Sequence, residues 1–137
     1  MAEKKPEIKE ADHIEEELRT LFGQAESIRR QIATIDDTIL DLAAVLETLS
    51  YIKEHGKEKV VLVPIGAGNF IRAKIVDTEK VIMGVGGRLS VEADIEEAKK
   101  TLNDRIATLE TLRLDLRRKL EEINARIREL VREASTQ

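Results

Sequence analysis

His13 and His55 are the only imidazoles in the chain, and there is no cysteine. A metal centre or an acid–base site needs ligands that converge at matched spacing. Two histidines near opposite ends of one predicted helix offer neither a shared metal site nor a triad. The carboxylate pairs Glu15-Glu16, Asp36-Asp37 and Glu121-Glu122 are adjacent on predicted helices, where neighbouring side chains point in different directions, so they read as solvated surface. Gly66-Ala67-Gly68 and Gly84-Val85-Gly86-Gly87 invite a phosphate-loop reading, but Ile71 stands where GxGxxG needs its third glycine, and no Gly-Lys-Ser/Thr follows. Each loop also leads into an apparent strand, not into the helix N-terminus that would hold an anion. Both read as hairpin turns, and Met83 as hairpin packing. The expectation is a protein with no catalytic group, no cofactor and no metal.

What these residues do belong to is a chain built for long helices. Its 137 residues are 42% hydrophobic and 36% charged but only 2% aromatic, a balance typical of coiled coils and poor in the rings that fill a globular centre. Lys and Arg number 23 against 27 Asp and Glu, a net charge of −4, which gives no electrostatic reason to expect nucleic acid or an acidic membrane as partner. The start MAEKKPEIKE is too charged for a signal peptide, and no apolar run approaches the roughly 18 residues of a membrane span. With no cysteine, the cytoplasm is the expected compartment.

Ile14, Leu18, Leu21, Ala25, Ile28, Ile32, Ile35, Ile39, Leu42, Leu46 and Leu49 follow one another at alternating steps of four and three. This is a heptad seam with every a and d position apolar, and it predicts a helix over 8–55, stopped at His55-Gly56 by a glycine in the left-handed conformation. A second seam places Ile95, Leu102, Leu109, Leu116, Ile123 and Leu130 at d, with Ile106, Leu120, Ile127 and Ala134 at a. Lys99 and Arg113 interrupt its a positions, as polar residues that set register often do. This helix is predicted over 94–135, with Asp94 as cap and Glu97 completing a capping box. Each seam spans 35 residues between its outermost d positions, roughly 53 Å of helix. The match favours an antiparallel hairpin, in which Leu49 meets Ile95 and Ile14 meets Leu130, over a parallel homodimeric zipper.

The segment between the helices, 56–93, is rich in Val and Ile and holds most of the glycines. It predicts strands near 60–65, 70–76, 81–85 and 88–91, with turns at Gly66-Ala67-Gly68, at 77–80 and at Gly86-Gly87. Isolated hairpins are marginal in water, and these carry apolar residues on more than one face. With the helices committed to their own seam, other subunits are expected to supply strands and close a barrel. The alternative is a monomer whose sheet folds onto the helix ends near Leu49, Ile52 and Ile95.

Val-Leu-Val-Pro-Ile-Gly at 61–66, Phe70 to Ile75, Asp77-Thr78, Lys80-Val81 and Val85-Gly86, set between two helices of equal length, resemble the hairpin signature of the α-class subunits of prefoldin. The resemblance runs from about Ile8 to Val131, and the second hairpin distinguishes the α class from the β class. It implies an α+β fold: a single domain over 1–137, with an antiparallel coiled-coil hairpin and two small β-hairpins that assemble into an intersubunit β-barrel.

The same resemblance implies an ATP-independent holdase, two such subunits with four β subunits, whose apolar tips capture unfolded proteins and pass them to a group II chaperonin. Ile8, Ile14, Leu18, Leu21, Phe22, Ile127, Leu130 and Val131 are the candidate tip residues. Leu18, Leu21, Ile127 and Leu130 serve equally well to close the coil, which leaves Ile8, Phe22 and Val131 as the more distinctive ones. Val63, Ile65, Phe70, Ile75, Val81 and Val85 are the candidate assembly residues. Two other readings compete: a structural homo-oligomer or filament propagated by the hairpins, and a coiled-coil scaffold for one folded partner.

Overall fold

The computed structural model describes residues 4–136, with side chains from residue 10 onward. Helix α1 (Lys4–His55) is followed by strands β1 (Val60–Gly66), β2 (Asn69–Lys74), β3 (Lys80–Gly86) and β4 (Leu89–Asp94), and helix α2 (Ile95–Thr136) closes the chain. The architecture is the expected one of two long helices with two small strand pairs between them. Each strand pair is a separate two-stranded antiparallel sheet, β1 with β2 and β3 with β4.

The chain forms two compact units: a terminal unit, Met1–Thr38 with Leu109–Gln137, and a hairpin unit, Ile39–Thr108. In the terminal unit Ala25, Ile28 and Ile123 are buried, with Leu21, Ile32, Leu116, Leu120 and Ile127 packed against them. In the hairpin unit the buried cluster is Leu49, Ile95, Ala98 and Leu102. Every seam position from Ile14 to Leu49 is buried or partly buried, whereas Ala134 at the end of the second seam is exposed. Alternating three- and four-residue steps keep one stripe of the helix facing its neighbour, and the charged positions between are left to water.

The ends of the elements differ in detail from the sequence reading. Gly56 does close α1, but outside the left-handed region. Its amide donates to the Ile52 carbonyl at 2.8 Å, and a Cβ there would lie 2.5 Å from that oxygen, so close approach is what requires glycine. The strand ends also shift. Ile75 and Val76 fall outside β2, while β4 continues to Asp94 and enters α2 directly, the Ile95 amide donating to the Glu79 carbonyl at 2.8 Å.

The hairpins repeat each other. Val60 pairs with Lys74 and Gly66 with Asn69 in the first; Lys80 pairs with Asp94 and Gly86 with Leu89 in the second, each position twenty residues on. Both have a register shift before the turn, at Pro64/Gly66 and at Gly84/Gly86. Ala67 and Gly68, then Gly87 and Arg88, all have positive φ, as a two-residue type I′ turn demands. Between the hairpins, Asp77 Oδ1 accepts from the amides of Glu79 at 2.8 Å and Lys80 at 3.2 Å. Those two bonds hold its carboxyl below the ordinary range.

The repeated hairpins are not treated alike. Val81 and Met83 of β3 pack on the Leu49, Ile95, Ala98 and Leu102 cluster, leaving Ile82 on the exposed face. The helices are therefore not wholly committed to their own seam, and one hairpin covers their core. Every residue of β1, by contrast, is exposed.

Candidate functional site

In the terminal unit the seam residues Ile14, Leu18, Leu21 and Ile127 are partly buried, and Leu130 is only 1% exposed. Leu21 and Ile127 belong to the packed core, so these positions close the helix pair in this state. Phe22 and Val131 are different: they lie beside the seam, 54% and 46% exposed. The Ile8 side chain lies outside the described residues. An ion network fastens the helices near this surface. Arg126 Nε donates to Glu17 Oε1 at 3.1 Å, and Arg126 Nη1 to Glu129 Oε2 at 3.0 Å. The bond to Glu17 and then that to Glu129 push the guanidinium further into its charged form.

Of the candidate assembly residues, Val63, Ile65, Phe70 and Val85 are exposed, Ile65 at 62%. Ile75 is partly buried, and Val81 packs against the helices of its own chain. The exposed set is joined by residues outside those six. Val61, Leu62 and Ile71 on the first hairpin and Leu89 and Val91 on the second are all exposed. The twenty-residue repeat was the signal available for them, because it aligns Val61 with Val81, Val63 with Met83 and Ile71 with Val91. Val81 and Met83 pack on the helices where their counterparts Val61 and Val63 are left uncovered, while Ile71 and Val91 are exposed on both copies of the repeat. Heptad reasoning also passes over Leu40, Val45, Leu112 and Leu114, apolar residues beside the seams that remain exposed.

The glycine segments form the two hairpin turns and lead into β2 and β4. His55 stacks at a tilt on Tyr51, with ring centroids 5.3 Å apart. Among the described residues no group of three or more His, Cys, Asp or Glu could hold a metal ion. No described helix is long and apolar enough to cross a membrane. What the arrangement offers is two kinds of exposed apolar surface, Phe22 and Val131 in the terminal unit and the strands in the hairpin unit.

Comparison with known proteins gives this arrangement a family. A family model described as Prefoldin subunit matches residues 9–137. Prefoldin subunit alpha 2 of Thermococcus kodakarensis is 42% identical over 133 residues, covering 97% of this chain and 93% of that one. The putative prefoldin subunit alpha of Aquifex aeolicus is 35% identical over 138 residues, with 97% and 93% covered. Among solved structures, a chain from the cryo-EM structure of filamentous PFD from Methanocaldococcus jannaschii matches with a TM-score of 0.77 and 37% identity, covering 87% of this chain and 98% of that one. Two long helices joined by twin hairpins, matched by the family model over nearly their whole length and by α-subunit relatives well above 30% identity, place this chain in the prefoldin family, whose members are chaperone subunits.

Proposed function

We propose that the chain is an ATP-independent holdase subunit. It captures unfolded proteins on the exposed apolar residues of the terminal unit, assembles through its hairpins with β-class prefoldin subunits, two copies with four, and delivers clients to a group II chaperonin in the cytoplasm. The observation that carries this is the exposure of Phe22 on α1 and Val131 on α2, in the unit that holds both chain ends. Unfolded chains expose apolar surface, and each patch covered is worth about 25 cal/mol per Å². Several small contacts then hold a client with no fixed pocket and no nucleotide. Ile14, Leu18, Leu21, Ile127 and Leu130 add to that surface only where the helix pair opens, and Ile8 is assigned to it as well.

The test replaces Phe22 and Val131 together with Ser. The assembled mass should be unchanged by native mass spectrometry, while suppression of the aggregation of a denatured test protein falls at least about twofold. Undiminished suppression removes these two residues from the client surface. A second reading, a filament or homo-oligomer of this chain alone, is favoured by the filamentous assembly named for the matching structure. It predicts light scattering that grows with concentration in the absence of any other subunit.

A further inference from the structure

Beyond the bond from Ile95 to Glu79 at its base, the second hairpin meets the helices through Val81 and Met83, which pack on the Leu49, Ile95, Ala98 and Leu102 cluster. Arg105 Nη2 adds a long hydrogen bond of 3.5 Å to the Gly84 carbonyl. The packing is incomplete. An open groove of about 180 Å³ remains, walled by Val45, Leu49, Ala98 and Leu102 on the helices and by Val81 and Met83 on β3. Arg105 carries the one side-chain hydrogen-bond donor among the residues lining it. Met83 is partly buried in that wall, and among the described residues it is the only sulfur. At the matching place in the first hairpin stands Val63, which is exposed. The thioether thus lies where the second hairpin meets the helices and where solvent reaches the contact.

We propose that Met83 is a site of oxidation by hydrogen peroxide, and that its sulfoxide releases the second hairpin from the helices. A water needs only about 10–15 Å³, so an open groove of this size admits a molecule as small as a peroxide to the thioether. The O–O bond breaks, one oxygen atom passes to sulfur in an S=O bond, sulfur loses two electrons, and water leaves. The product is polar and chiral where the thioether was apolar and flexible. Its oxygen has two courses open to it in the groove. It takes Arg105 from the Gly84 carbonyl, which loosens β3 directly, or it stays unpaired against the apolar cluster at the cost of its desolvation. That cost is relieved when the hairpin lifts into water. Release uncovers Leu49, Ala98 and Leu102 and so adds apolar surface in the hairpin unit.

Peroxide titration of the full chain tests this, with peptide mass spectrometry reading the gain of one oxygen at Met83 separately from Met1. Oxidation at Met83 should lower the melting temperature by at least about 4 °C and raise the binding of a dye specific for apolar surface at least about twofold. Met83→Leu conserves side-chain volume, and under the same peroxide that chain should lose less than about 1 °C. Met83 that stays reduced at a dose that oxidises a free methionine peptide overturns the proposal. So does a Met83 sulfoxide with melting temperature and dye binding unchanged. An equal loss in Met83→Leu places the damage elsewhere and overturns it as well.

Discussion

Arg113 Nη1 donates a 2.6 Å hydrogen bond to Asp36 Oδ1, joining the two helices at a seam position where an apolar residue would otherwise sit. The side chains are 25% and 40% exposed, so the pair is partly withdrawn from water. A polar residue at an a position lowers the stability of a seam but fixes which residues face each other.

Removing the carboxylate should therefore cost more than removing the guanidinium. Asp36→Ala leaves the guanidinium at the seam without its carboxylate and should destabilise by about 1 kcal/mol. Arg113→Leu fills the seam position with an apolar side chain and leaves the more exposed Asp36 carboxylate to water, so it should cost less than Asp36→Ala. Urea unfolding followed by circular dichroism separates the two, and a loss of equal size in both variants would remove the seam argument.

That bond was half legible. The heptad count places Arg113 at a, but nothing in the spacing names Asp36 over the adjacent Asp37, because the choice depends on how the helix pair is rotated. The helices themselves were legible for a different reason: Ile14 to Leu49 repeat a single pattern, and the burial of each residue follows from its step number alone. The hairpins were legible as strands from Val, Ile and Gly, and the docking of Val81 and Met83 on Leu49 and Ile95 was not. Alternation gives two faces to a strand, but which face meets the helices depends on how β4 enters α2 without a loop.

Gly23 and Gly56 should respond oppositely to the same methyl group. Gly23 lies inside α1 with nothing within 4 Å of a built Cβ, so Gly23→Ala should stabilise by about 1 kcal/mol, through helix propensity alone. Gly56→Ala drives its Cβ to 2.5 Å from a backbone oxygen and should destabilise by about 1–3 kcal/mol, as the turn opens to relieve it. Thermal unfolding of the two variants checks both signs.

The ion pair at the start of α2 gives a pH dependence with a defined sense. Lys53 Nζ lies 3.0 Å from Glu96 Oε1, and Lys99 Nζ 3.8 Å from the same oxygen. The hydrogen bond from Lys53, then its charge and that of Lys99, hold the Glu96 carboxyl below its ordinary value of 4.5. The bond to Glu96 raises Lys53 above its ordinary 10.5. A carboxyl lowered by folding adds stability that is present above its unfolded pKa and lost as pH falls through the folded one; a lysine raised by folding adds stability that is present below its unfolded pKa and lost as pH rises through the folded one. The pair thus contributes fully at neutral pH and loses its effect in acid below 4.5 and in alkali above 10.5. Glu96→Gln should reduce the fall in melting temperature between neutral and acidic pH, by a small amount that salt diminishes because both groups are solvated. An acid limb unchanged by Glu96→Gln would mean that other carboxylates carry it.

Charged substitutions on the two hairpins should divide assembly from folding. Val63 is exposed on β1, so Val63→Asp puts its carboxylate in water in the isolated chain and should leave the melting temperature of that chain within a few degrees. Val81 belongs to the same face of the repeat, aligned with Val61, but on β3 that face packs against Leu49 and Ile95. Val81→Asp buries a carboxylate against that cluster and should destabilise by about 2 kcal/mol or more. Both variants should lower the assembled mass, but only Val81→Asp should do so together with a loss of helix content. Native mass spectrometry paired with circular dichroism on each variant reads the two effects separately. A Val63→Asp chain that loses helix content would show that the first hairpin also holds its own subunit together. A Val81→Asp chain with full helix content and reduced mass would instead make β3 an assembly surface that the helices merely shield.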